Sequence, residues 1–315
     1  MEFVNATSQI YSCISKYGKC DIYNSIVFIP ANIASIIINL FHLLVLRNMH
    51  GLKELNYFWI LLNLTLGDIG ISIAITLSVI CEIWNSDNCI ITILAYGFIG
   101  CTVQVRYWLL TLGVLDRYYA VCKPFKYKTS KFINNVGKLA AAAWTLNALF
   151  AMTDAFITRS CPCLDSVADS VYAWILDIAI YVDVAIVLNT VVPTVTSTVL
   201  LVKILAEVRS MKQRRSTTIK YDQETRSATR YTIGIFIMLY LSSMPTIAYV
   251  VLYMINSRYK TDFSWLVSLG MLGQLLYGIG NVVVYGVLNK AYVTKIKSIC
   301  QPLCPVVKVS PQVNT

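Results

Sequence analysis

The stretch TLGVLDRYYAVCKPFKY, residues 111–127, opens as an apolar run and closes among lysines, with one acid and one base, Asp116 and Arg117, at the turning point. Such a boundary marks the place where a greasy helix leaves hydrocarbon for water. The rest of the chain agrees, because 57% of its 315 residues are hydrophobic and only 13% are charged, well outside the habits of soluble domains. Seven apolar runs are each long enough to cross a bilayer as a helix: residues 25–46, 57–80, 90–115, 139–157, 178–202, 231–255 and 265–288. An odd number of spans puts the two termini on opposite sides.

Lysine and arginine set the orientation. Most of the 26 lie in the connections after the first, third and fifth runs and in the tail, whereas Lys16, Lys19, Arg159, Arg258 and Lys260 fall on the other side. The N-terminus is therefore expected outside and the tail in the cytosol. The net charge of +10 is distributed where anionic inner-leaflet lipid would meet it, which excludes a nucleic-acid partner and makes membrane lipid a partner. The start MEFVNATSQIYSCISKYGKC lacks a basic segment followed by an apolar core, so the first span serves as the targeting signal. The expected division is an outer segment at 1–24, a membrane domain at 25–300 and a cytosolic tail at 301–315.

The same topology sorts the special residues. Asn5 in NAT is a glycosylation acceptor on the outside, while Asn63 in NLT lies within a span and is expected to be silent. Cys13, Cys20, Cys89, Cys161 and Cys163 face the oxidising side. Cys300 and Cys304 follow a basic amphipathic helix, where a palmitoyl chain would hold the tail to the membrane; reduced thiols are the alternative. His42 and His50 stand apart from one another, and no spaced Cys/His cluster, nucleophile triad or glycine-rich phosphate loop occurs, so neither a metal site nor an enzyme is expected.

One charge is out of place. Arg106 precedes Arg117 by eleven residues, which at ~1.5 Å per residue sets it roughly 16 Å into the bilayer. Asp68 lies at a similar depth in the second span. Each would cost at least about 2.5–3.5 kcal/mol unpaired, so each needs a partner.

The triplet Asp116-Arg117-Tyr118 at the end of a third apolar run resembles the class A, rhodopsin-like G-protein-coupled receptors. Further landmarks fall in order: Asn39, Asp68, Trp144, Pro193, Pro245, and NVVVY from Asn281 to Tyr285. The resemblance implies an all-α bundle of seven membrane helices with a short cytosolic amphipathic eighth helix, at the plasma membrane, coupled to a heterotrimeric G protein. It implies that Arg117 turns from Asp116 toward the G protein when the sixth helix swings out, with Tyr118, Pro245, Asn281 and Tyr285 as further switch residues. It also implies an outer disulfide between Cys89 and Cys163, with Thr92 standing where the family keeps its cysteine; Cys161 is an alternative partner, and Cys13 with Cys20 could close a separate loop.

Some strings resemble the opsins: VCKP, CPCLD and LNKAY. Yet the position of the retinal-binding lysine is Leu275 and that of the counterion is Ala95, so no retinal and no other cofactor is expected. Ile99 stands where amine receptors carry an aspartate. The residues at the family's pocket positions, Tyr96, Ile99, Gly100, Asn189, Thr246, Val250, Met271 and Leu275, are mostly apolar or small, suited to an apolar ligand or an aromatic peptide side chain. The family's sodium site pairs the equivalent of Asp68 with a small hydroxyl residue where this chain has Arg106. Its guanidinium either replaces the sodium or merely offsets Asp68.

Several activation residues are replaced: Ser243 for the sixth-helix tryptophan, Leu239 for a phenylalanine, Leu201 for a tyrosine and Val282 for a proline. They keep a second function open, that of a non-signalling decoy or a heterodimerisation partner of another receptor. A transporter ranks last, since Asp68 with Arg106 is the one polar pair along the spans.

Overall fold

The computed structural model describes residues 22–49, 56–83, 89–127, 129–131, 135–160, 169–213, 219–255 and 264–300. They form α1 (Ile22–Arg47), α2 (Asn56–Ile83), α3 (Cys89–Cys122), α4 (Val136–Ser160), α5 (Asp169–Gln213), α6 (Ile219–Ile255), α7 (Ser264–Leu288) and α8 (Lys290–Cys300), with a single helical turn at Pro124–Tyr127. Helices close every backbone hydrogen bond within themselves, the condition for crossing hydrocarbon. Seven of them carry apolar stretches long enough to do so: Phe28–Arg47, Phe58–Ile80, Ile93–Cys122, Val136–Ile157, Val187–Ser210, Thr229–Ala248 and Ser268–Leu288.

Burial is inverted relative to a soluble protein. Leu44, Leu149, Phe156, Val202, Leu241, Val283 and Val287 are exposed, while Asn39, Asp68, Arg106, Asn147 and Asn281 are buried. Apolar side chains facing lipid cost nothing, and polar ones find partners between the helices. Serine and threonine hydroxyls that lack such partners donate back to a carbonyl one turn earlier, as Thr65 does to Leu61 and Thr153 to Leu149.

α3 is the hub, packed against α2, α4, α5 and α6, and α6 and α7 form another close pair. The main core of Leu64, Val105, Leu109, Ile235, Leu239, Tyr277 and Tyr285 lies among α2, α3, α6 and α7. At Gly273 an added Cβ would come within 2.5 Å of the Ser242 carbonyl oxygen, so α7 meets α6 at the backbone itself. A side chain there would force the pair apart.

The ends differ from the apolar runs. α3 continues past Leu115 through Asp116 and Arg117, because the two charges satisfy one another, and stops at Cys122 two residues before Pro124. Pro124 then opens the short turn, where its missing N–H is no loss. The described residues of the connection between the fifth and sixth apolar runs are helical: α5 runs to Gln213 and α6 begins at Ile219. Lysine, arginine, glutamine and glutamate favour helix as strongly as most apolar residues do, so charge marks the bilayer edge and not the helix end. Asn289 caps α8, its Oδ1 accepting from the Tyr292 amide at 3.1 Å.

Candidate functional site

The two charges expected at mid-bilayer meet. Arg106 Nη2 on α3 lies 2.5 Å from Asp68 Oδ1 on α2, both side chains fully buried. Arg106 Nη1 donates to Gln274 Oε1 at 2.9 Å, and the guanidinium sits 5.0 Å from the centre of the Tyr277 ring, both on α7. The other carboxylate oxygen accepts from Asn281 Nδ2 at 3.0 Å, and Asn281 Oδ1 accepts from the Tyr231 hydroxyl of α6 at 2.6 Å. Gly278 makes room: a Cβ there would stand 3.2 Å from that of Asp68. Four helices thus converge on one ion pair.

Beside it, Ser72 donates to Ser35 Oγ at 2.9 Å, which ties α1 to α2, and Asn39 donates to the Ser35 carbonyl one turn earlier in α1 at 2.9 Å. Gln274, Tyr277 and Tyr231 were missed in the sequence. The first two carry a signal, since Gln274, Tyr277 and Asn281 recur at helical spacing on one face of an apolar run. Tyr231 carries none and is placed only by the packing of α6.

At the end of α3, Arg117 Nε donates to Asp116 Oδ2 at 2.9 Å and its Nη2 approaches the same oxygen. Tyr127, from the single turn after Pro124, donates to Asp116 Oδ1 at 2.8 Å. Asp116 is fully buried. Tyr118, the third residue of the triplet, packs instead beside Val114, Val121, Leu201 and Ile204, so an apolar cluster of α3 and α5 fills the neighbourhood of Leu201. Lys123 lies 5.5 Å from the Tyr118 ring centre.

The expected pocket positions separate. Leu275 is buried with Ile71, Ile75 and Val79, and Ile99 and Met271 pack against that cluster. Gly100 faces Ala151 of α4, and Thr246 is exposed with its hydroxyl toward Gly270. Asn189 belongs to a polar knot: it accepts from Trp108 Nε1 at 2.7 Å and donates to Gln104 Oε1 at 2.8 Å and Asn147 Oδ1 at 2.5 Å, joining α3, α4 and α5. Tyr96 is half-buried, and the Val250 side chain lies outside the described residues. Two shallow grooves of about 660 and 630 Å³ run along the outward face of α4, the first shared with Trp59 and Asn63 of α2, and neither includes a pocket position. Asn63 accepts from Trp144 Nε1 at 3.0 Å across the half-buried seam between α2 and α4.

Among the remaining ties, Tyr107 donates to Ser243 Oγ at 2.8 Å, and Thr111 meets Ser197 Oγ at 2.8 Å and the Pro193 carbonyl at 3.1 Å. His42 Nδ1 and the Tyr292 hydroxyl are 2.6 Å apart, fastening α8 to α1, with Tyr285 packed edge-on to both rings. Burial, then the adjacent Tyr285, pushes the Tyr292 phenol up. Among the described residues no group of three or more His, Cys, Asp or Glu could hold a metal ion. Asn5 and Cys163 lie outside the described residues, as do the side chains of Cys89 and Cys300.

Residues 38–276 match the family described as 7 transmembrane receptor (rhodopsin family). Olfactory receptor 4C16 of Homo sapiens is 26% identical over 145 residues, covering 44% of this chain and 45% of that protein. Olfactory receptor 10G6 of Homo sapiens is 31% identical over 83 residues, covering 25% and 24%. The aligned parts span less than half the length of these relatives. They are receptors, not enzymes.

Proposed function

The chain belongs to the rhodopsin family of seven-transmembrane receptors, and from that premise we propose that it carries a ligand signal across the plasma membrane to a heterotrimeric G protein. The observation that carries the reading is the Asp116 carboxylate, buried and held by both Arg117 and Tyr127. At rest this pair keeps the one cation at the end of α3 turned inward. A ligand that binds one helix arrangement better than the other shifts the bundle, and Arg117 is released toward the G protein. The N-terminus, with a glycan at Asn5 and a disulfide from Cys89 to Cys163, is outside; the tail, acylated at Cys300, is cytosolic. The ligand is a small apolar molecule or an aromatic peptide side chain. Retinal is not bound covalently, since Leu275 stands at its lysine position.

Within this reading Arg106 takes the place of a mobile sodium ion. Its guanidinium already occupies the Asp68 carboxylate from the α3 side, with Gln274 and Tyr277 closing the α7 side.

A second reading has its own support. Leu201, where a tyrosine would meet the released Arg117, is packed into an apolar cluster and offers no hydroxyl. The chain would then act as a decoy or as the silent partner of another receptor.

The test is nucleotide exchange by a panel of heterotrimeric G proteins over nanodiscs carrying the full chain. Exchange above that of empty discs on any member supports the receptor. Silence on all members, together with association of the chain with a second receptor, supports the partner.

A further inference from the structure

α1 has a polar face turned inward. Asn32, Ser35, Asn39 and His42 recur at helical spacing and are all buried, whereas Ile33, Ile37, Leu40 and Leu44 are exposed. Three of the four have partners: Ser35 accepts from Ser72, Asn39 donates to the Ser35 carbonyl, and His42 meets Tyr292. Asn32 differs. Its side chain is fully buried, and neither Oδ1 nor Nδ2 meets a hydrogen-bond partner among the described residues. One turn outward on the same face, Phe28 packs with Ile71 and Ile75 of α2 and Leu275 of α7, with Met271 against them. One turn inward, Ser35 Oγ accepts from Ser72 at 2.9 Å and from Asn39 Nδ2 at 3.4 Å, which uses both its lone pairs and leaves its own proton for a further acceptor.

A carboxamide both donates and accepts, and burying it unmatched in a membrane interior is costly. A hydroxyl group supplies both halves of what is left over, accepting from Asn32 Nδ2 or Ser35 and donating to Asn32 Oδ1. We propose that Asn32 anchors a binding site between α1, α2 and α7 for a single hydroxyl group, that of water or that of a short alcohol whose tail meets the apolar cluster of Ile75, Leu275 and Met271. A charged group does not suit it, because the cluster is apolar and the Asp68 and Arg106 charges are already paired with each other. An alkane of the same length lacks the group that Asn32 requires, so the site discriminates by the hydroxyl. The site stands whether or not the chain signals.

The experiment places the full chain, labelled with nitrogen-15 asparagine, in lipid vesicles and reads magnetisation transfer from water protons to the side-chain nitrogens by solid-state NMR. Asn32→Gln identifies the Asn32 signal by removing it. Asn48 is exposed and sets the level for a wet amide; Asn147, buried with its Nδ2 bonded to the Ala143 carbonyl at 2.7 Å, sets the level for a dry one. Asn32 is expected to match Asn48 although it is fully buried. A second arm adds hexanol carrying carbon-13 at its hydroxyl carbon, with hexane labelled at its end carbon as the control, and reads carbon-to-nitrogen transfer at Asn32. Transfer from water that hexanol leaves unchanged assigns the site to water; transfer from hexanol and not from hexane assigns it to the alcohol. An Asn32 signal as dry as that of Asn147, with no transfer from hexanol, overturns the site. Neither arm reads nucleotide exchange, so failure here is separate from failure of the receptor reading.

Discussion

Arg106 is the residue on which the interior turns. It is fully buried at mid-bilayer, and three contacts account for it: Asp68, Gln274 and the Tyr277 ring. Arg106→Ala would leave the Asp68 carboxylate without its counter-charge, a change that costs about 3–5 kcal/mol when a buried pair is broken. Thermal unfolding in detergent should show a large fall in midpoint, and Asp68→Asn added to Arg106→Ala should recover part of it; no recovery would mean the arginine acts by bulk alone. Sodium gives the sharper discrimination. Replacing sodium by a bulky organic cation should leave the unfolding midpoint of the native chain unchanged, whereas Arg106→Ser, which opens the carboxylate, should acquire a sodium-dependent rise. A sodium response in the native chain would remove the guanidinium from that role. At the other end of α3, Tyr127→Phe strips one donor from Asp116 and should raise basal nucleotide exchange about threefold, the worth of one such bond.

Between helices, shape matters as much as charge. Gly273→Ala forces α7 away from a backbone carbonyl, which cannot step aside as a side chain would, and overpacking of this kind costs roughly 1–3 kcal/mol. Gly137 at the start of α4 has nothing within 4 Å of an added Cβ, so Gly137→Ala should be neutral or slightly stabilising. Equal loss of unfolding midpoint in the two variants would contradict the close seam. The short α8 depends on its cap and on His42: Tyr292→Phe should speed amide exchange in α8 and leave α2 unchanged. The seven spans were legible because a bilayer demands long apolar runs, and Arg106 was legible because a charge in such a run needs a partner. The extensions of α5 and α6 were not, since a polar helix and a polar loop share one composition. The partners Tyr231 and Tyr127 were not legible either, because a tyrosine in an apolar chain announces nothing about which helix its hydroxyl will reach. The pocket positions, carried over from a family resemblance, gave no warning that Asn189 would be tied into an amide knot.

For the molecule as a whole, the distribution of lysine and arginine is the argument for the proposed orientation, with the N-terminus outside and the basic face of the bundle in the cytosol. An epitope tag on the N-terminus should be stained on intact cells and one on the C-terminus only after permeabilisation; the reverse pattern would invert every assignment of inner and outer ends. Under the proposed function, the replaced positions Ser243, Leu201 and Val282 bear on how the bundle moves, while the pair at Asp116 and Arg117 bears on whether it has an output at all. The most direct measurement compares basal nucleotide exchange by the native chain with that of Arg117→Ala, at equal surface delivery, on the same G protein. The account predicts exchange that the native chain supports and the variant loses; exchange that persists without Arg117 would contradict it.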